Sequence, residues 1–231
     1  MTIKKLALAC ALVLSMTILS GTAWADNIPI VNGSFETLGA PLGTTCGTGC
    51  AFNSGPIPGW SIIGGGGTWQ PGSFFTSVPD GTLIGYVGIG SLSQTLTGDS
   101  VLANSVYTLS VFVGDRAGGG SGNYTLSLDT ILGGVKTTLC SFTNNASSIA
   151  SGTFQLESCT YSSTSSVPSG TLFLQLAANT GQLDVDNVSL TVQSASTSVP
   201  EPSSVLLLSV GMLFLVATLM VRRKKELQLT A

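Results

Sequence analysis

The chain has 231 residues, 8 Lys and Arg against 11 Asp and Glu, and no histidine. Without histidine there can be no Ser-His-Asp triad, no Cys-His pair and no His-bound zinc or iron site. Only 8% of residues are charged and the interior carries no basic stripe, which excludes nucleic acid as a partner.

Lys4 and Lys5 precede an apolar run from Leu6 to Leu19, and Ala23-Trp24-Ala25 supplies small residues at −3 and −1. This is the pattern of a signal peptide over residues 1–25, cleaved after Ala25. Cys10 leaves with it, so the exported chain keeps Cys46, Cys50, Cys140 and Cys159. An even count in an oxidising compartment reads as disulfides with three possible pairings. The nearest-neighbour pairing, Cys46–Cys50 and Cys140–Cys159, is the expected one.

Residues 26–193 form the expected extracellular domain. Nine acidic residues there face only Arg116 and Lys136, a net charge of −7. Apolar residues recur with period two: Tyr107, Leu109, Val111 and Val113; Tyr124, Leu126 and Leu128; Leu172, Leu174 and Leu176. Each series is a strand with one face in a core. Further strands are expected over 28–35, 60–63, 83–89, 91–96, 135–142, 153–161 and 185–192. Turns at Pro79-Asp80-Gly81, Gly133-Gly134 and Pro168-Ser169-Gly170 separate several of them. The fold class is all-β, a two-sheet antiparallel sandwich of the jelly-roll type. Strands 135–142 and 153–161 are expected to pair as a hairpin that sets Cys140 opposite Cys159.

A linker over 194–204 holds Pro200, Glu201 and Pro202, and an uncharged apolar segment follows over 205–221. As a helix it is roughly 25 Å long, near the lower limit for crossing a bilayer. Arg222, Arg223, Lys224 and Lys225 open a basic tail over 222–231, which the positive-inside rule places in the cytoplasm. Motif, span and basic cluster, in this order, resemble the PEP-CTERM sorting signal of Gram-negative bacteria. The resemblance implies processing by an exosortase, membrane anchoring during sorting, and a final place at the cell surface or in the extracellular matrix. It also implies a biofilm-forming host that makes exopolysaccharide.

Asn32-Gly33-Ser34-Phe35-Glu36 opens the domain, Pro58-Gly59-Trp60 follows, and Leu183-Asp184-Val185-Asp186-Asn187-Val188-Ser189-Leu190 closes it. These segments resemble the galactose-binding-like jelly roll of carbohydrate-binding modules and DUF642-type cell-wall proteins. That resemblance implies a structural calcium ion held by Glu36 and Asp186. Parity adds support: Asp186 is in step with Val188, Leu190 and Val192, so a regular strand points it inward, where an unpaired carboxylate is costly. A solvated carboxylate at a frayed strand end is the alternative. Asp184 shares the parity nearer the strand's start.

For ligand contact the candidates are Trp69, presented after the Gly64–Gly67 run, Tyr86, and the loop residues Asp115, Arg116 and Asn123. Phe74 and Phe75 are weaker candidates, and Trp69 suits the core equally well. Trp60 at a strand start belongs to the core. Asp115 and Arg116 suit a surface ion pair equally well. There is no Gly-x-Ser-x-Gly elbow and no phosphate-cradling loop. Asp184 and Asp186 are the one close carboxylate pair that glycoside hydrolysis could use. The expectation is a non-catalytic module associated with exopolysaccharide, or else a structural matrix protein without a discrete ligand.

Overall fold

The computed structural model describes residues 25–194 and the pair 211–212. The expected leader with Cys10, the Pro-Glu-Pro motif, the basic cluster and nearly all of the apolar span lie outside the described residues. Among the described residues no helix is long and apolar enough to cross a membrane.

Thirteen strands follow one another: β1 (Ala25–Ile28), β2 (Thr44–Gly47), β3 (Cys50–Phe52), β4 (Ser61–Ile63), β5 (Gly66–Pro71), β6 (Ile84–Val87), β7 (Gly90–Ser100), β8 (Ser105–Asp115), β9 (Asn123–Leu132), β10 (Val135–Asn145), β11 (Thr153–Ser162), β12 (Thr171–Ala178) and β13 (Leu183–Ser194). They build two antiparallel sheets. The larger runs β11-β8-β13-β6-β5-β3-β2, with β1 also paired to β13; the smaller runs β10-β9-β12-β7-β4. Between them Leu109, Val111, Val113, Val185 and Leu190 of the large sheet meet Leu92, Leu126, Leu128, Leu172, Leu174 and Leu176 of the small one. Each such side chain, removed from water, contributes roughly 1.5–3 kcal/mol. The expected all-β sandwich is thus observed, and Trp60 is buried against Phe35 with ring centroids 5.4 Å apart.

Three local expectations need correction. The strand expected over 28–35 ends at Ile28, because Asn32 and Phe35 adopt left-handed backbone (φ 51° and 59°) that no strand continues. The hairpin expected between β10 and β11 does not form: β10 pairs β9 and β11 pairs β8, at neighbouring edges of opposite sheets. Cys140–Cys159 does form, with Cα atoms 5.8 Å apart, but it clasps one sheet to the other. Tyr124 Oη, donating to Glu157 Oε1 at 3.0 Å, also joins β9 to β11 across the sandwich.

The third correction concerns β13. Leu183 and Val185 point into the core, and so do Val188, Leu190 and Val192. Odd and even positions can both face inward only because a bulge intervenes, and the register against β8 shifts between Asp186 and Ser189. Asn187 takes φ 46° there, and Val188 N donates to Gly33 O at 2.9 Å. Asp184 and Asp186 therefore lie on the outer face of the large sheet, opposite to the side that unbroken parity predicts. They are buried nonetheless, because loops and short strands cover that face.

Candidate functional site

The cover over the outer face is aromatic. Trp69 of β5 and Ile84 of β6 are directly paired, and with Cys50 and Phe75 they form a second, smaller apolar cluster. Phe74, Phe52, Tyr86 and Phe154 pack against it. Trp69 lies 5.4 Å from Phe74 and 5.9 Å from Phe75 by ring centroids, and its indole N–H donates to Cys50 Sγ at 3.1 Å. The Cys46–Cys50 disulfide, formed as expected, staples the β2–β3 hairpin beside this ring.

A cavity of about 160 Å³ opens here, walled by Cys46, Phe52, Trp69, Phe74, Tyr86, Arg116 and Gln182. Its scale is that of an engineered apolar cavity that binds benzene. The Tyr86 hydroxyl is anchored on Asn53 O at 2.8 Å, with Ser54 Oγ at 3.1 Å. Tyr86 and Phe52 meet edge to face, 6.1 Å apart.

Asp184 is not itself part of the wall but neighbours two residues that are. Its cross-strand partner on β6 is Tyr86, and Gln182 precedes it by two residues; both line the wall. Its partner on β8 is Gly114, where a side chain would strike the rings of Phe75 and Phe154 at 2.7 and 2.8 Å. The glycine lets two phenyl rings settle beside the carboxyl group. Asp184 has no exposed surface; Gln182 Nε2 donates to its Oδ1 at 2.5 Å, and Oδ2 has no hydrogen-bond partner. Burial raises its pKa to about 7, against the opposing pull of the Gln182 hydrogen bond and the Arg116 charge. A carboxyl group in such surroundings holds its proton near neutrality, so acid chemistry is available without histidine.

Of the sequence candidates, Trp69, Tyr86 and Arg116 converge on the cavity. Asp115 lies at the end of β8, close enough to oppose ionisation of Asp184. It makes no ion pair with Arg116, whose guanidinium is turned to Gly119 O and Gln182 Oε1 instead. Among the described residues the ion pair is Lys136 with Asp129, at 3.5 Å. Asn123 stands exposed at the start of β9, outside the cavity wall, its backbone bonded to Asn179 and Thr180. Gln182, Phe52 and the role of Asp184 were missed. Their signals were faint: a lone amide before a strand, a phenylalanine in a glycine-rich stretch, and a bulge that hides which way Asp184 faces.

Glu36 and Asp186 grip one turn from two sides. Glu36 Oε1 accepts from Thr82 N and Leu83 N at 2.8 and 2.6 Å. Asp186 accepts from Asp80 N at 2.8 Å and Asn187 N at 2.7 Å. Burial, reinforced by the charges of Asp80 and Glu36, raises the Asp186 pKa to about 7. Among the described residues no three His, Cys, Asp or Glu side chains converge as a metal cluster. The oxygens suit a hard cation only if backbone carbonyls complete the shell.

A family model for HpiC1 cyclases matches residues 26–191, which is most of the chain. The chain belongs to the HpiC1-like family. The PEP-CTERM protein-sorting motif matches residues 198–224, which marks this HpiC1-like protein for export and for processing by an exosortase-type enzyme. Among solved structures, a cyclase from Fischerella sp. in its apo form superposes with a TM-score of 0.58 at 22% identity, covering 75% of this chain and 98% of that one. The CBM22-1 xylan-binding domain of Paenibacillus barcinonensis Xyn10C gives a TM-score of 0.45 at 15% identity, covering 76% and 100%. A comparison with curated proteins finds no match.

Proposed function

We propose that this exported domain binds a small, largely apolar, unsaturated molecule against the aromatic wall and that Asp184 donates a proton to it in a cyclase-type reaction. One observation carries the reading: a fully buried carboxyl group with an unpartnered oxygen neighbours two wall residues of an aromatic cavity, Gln182 by a hydrogen bond and Tyr86 across the strand pair. Family membership supports the reaction class. In a proton-initiated ring closure, the carboxyl O–H bond breaks and its hydrogen bonds to the substrate, leaving a carboxylate and a cation. The π-faces of Trp69, Phe74 and Phe52 are suited to stabilise that cation. The cyclised cation then returns a proton to the carboxylate, so product and substrate are isomers and no co-substrate is consumed. This reading departs from the expectation of a non-catalytic module, which rested on the resemblance to carbohydrate-binding modules and on the absence of histidine and of nucleophile or phosphate-binding motifs.

The test uses two isosteric probes, pyridine and benzene, titrated into the domain with detection by NMR. Only pyridine can accept a hydrogen bond or proton. The ratio of pyridine to benzene affinity is expected to fall about tenfold in Asp184→Leu, the equivalent of one hydrogen bond of about 1.4 kcal/mol. An unchanged ratio, or failure of the parent protein to bind either probe, overturns the reading.

A second reading, association with extracellular polysaccharide, has its own support. The outer face of the small sheet presents the exposed Thr143 and the half-buried Thr125 and Gln175, polar groups suited to hydroxyls, over the buried Ser93, Ser127 and Asp129. Binding on a glycan array, with no response to either aromatic probe, would favour it.

We also propose that Glu36 and Asp186 hold a structural calcium ion. The charges of Asp80 and Glu36 both oppose ionisation of Asp186, which supports this, since a divalent cation would relieve that repulsion. A chelator is then expected to lower the melting temperature by several degrees, and added calcium to restore it. No shift in either direction removes the ion from the account.

A further inference from the structure

Three consecutive glycines, Gly118–Gly120, begin two residues after Arg116. Arg116 Nε donates to Gly119 O at 2.7 Å, and the loop folds back over the guanidinium. A side chain at Gly120, where φ is 101°, would collide with Arg116 Nη2, so only glycine lets the loop close there. Gln182 N donates to Gly120 O at 2.9 Å, tying this loop to the approach to β13. Arg116 is thus caged, with one direction left for Nη1, which donates to Gln182 Oε1 at 3.1 Å.

That contact fixes the neighbouring amide. A guanidinium has only donors, so the Gln182 oxygen must face it, and the NH₂ group must face Asp184. The carboxyl oxygen that receives this N–H, Oδ1, is committed as an acceptor. A proton on the same carboxyl group then resides on Oδ2, which has no other partner in the protein. We infer that Arg116 and Gln182 are the positioning residues of Asp184: together they tie down Oδ1 and reserve Oδ2 as the oxygen that meets the ligand. The inference rests on the proton-donor reading of this site.

The test joins a ligand-free readout to a ligand-dependent one. In ¹⁵N spectra of the domain, the Gln182 side-chain amide, assigned by its loss in Gln182→Met, is expected to exchange slowly with solvent and to lie apart from the other glutamines. Arg116→Met should return it to the position and fast exchange of a free amide, and Arg116→Lys, which keeps one donor, should restore it in part. In the probe assay Arg116→Met and Gln182→Met should each lower the pyridine-to-benzene ratio at least threefold. Should the parent amide look free, or both variants leave amide and ratio unchanged, the inference fails even if the parent discriminates between the probes. If the parent shows no discrimination but the amide responds to Arg116→Met as stated, the proton-donor reading fails and the positioning contact stands. Gly120→Ala serves as a further variant should Arg116→Met not fold, with the same amide response expected.

Discussion

Asp184→Asn is expected to become progressively more stable than the parent protein as pH rises from 4 to 8. The carboxyl pKa is raised from 3.8 to about 7 in the folded chain, chiefly by burial. Between those values the folded state keeps a proton that the unfolded state has released. Stability drawn from this group is therefore complete below about pH 4 and is lost as pH climbs through 7. At about 1.36 kcal/mol per unit, the two units between pH 5 and about 7 set an upper bound of roughly 3 kcal/mol on the change between pH 5 and pH 8, and relaxation of the cover brings it to about 1–3. Asparagine matches the shape of the neutral acid and still accepts from Gln182, so the variant lacks only the titration. Urea melts of both proteins at pH 5 and pH 8 give the answer. A gap of equal size at the two pH values would mean that Asp184 is ionised throughout, and the acid role would go with it.

Removal of the cross-sheet disulfide is the second large effect. Cys140→Ala combined with Cys159→Ala should lower stability by about 3 kcal/mol, since a separation of 19 residues is closed by the bond. The corresponding change at Cys46 and Cys50, separated by 4 residues, should cost nearer 2 kcal/mol. Position sharpens the difference. Cys140 and Cys159 clasp the rim where β10 and β11 face each other without shared ladder bonds, whereas Cys46 and Cys50 belong to a hairpin already paired. Guanidinium melts of the two double variants measure both losses. A drop under 1 kcal/mol for the cross-sheet pair would show that the leucine core alone holds the layers together.

Much of this architecture was legible in the chain. Leu172, Leu174 and Leu176, or Tyr107 through Val113, alternate so regularly that strand and buried face follow together. Both disulfides were readable from proximity alone, although Cys140 and Cys159 were given the wrong scaffold: sequence nearness says nothing about whether two strands share a sheet. β5 escaped notice because Gly66 and Gly67 carry no side-chain pattern, and Trp69 was consequently left open between a ring presented by a glycine run and a core residue. The site suffered more. Its aromatic wall draws on β3, β5, the segment after β5, and β6, which no periodicity links. Asp184 and Asp186 were placed on the core side because parity was carried through Asn187, where the strand takes its extra residue. What the sequence did supply was the candidacy of Arg116, Tyr86 and Trp69 for ligand contact, and the fold collects all three in one wall.

The irregularity in β13 has a wider bearing. Below it the strand offers oil to the interior and acid to the exterior; above it the phase is reversed, and the alternation resumes for the rest of the element. One additional amino acid therefore separates a sandwich with two carboxylates in its hydrocarbon interior from one that holds them beneath the loops of its outer face. A single inserted residue is enough to turn a run of side chains from one face of a layered β protein to the other without redesign of the strands beside it.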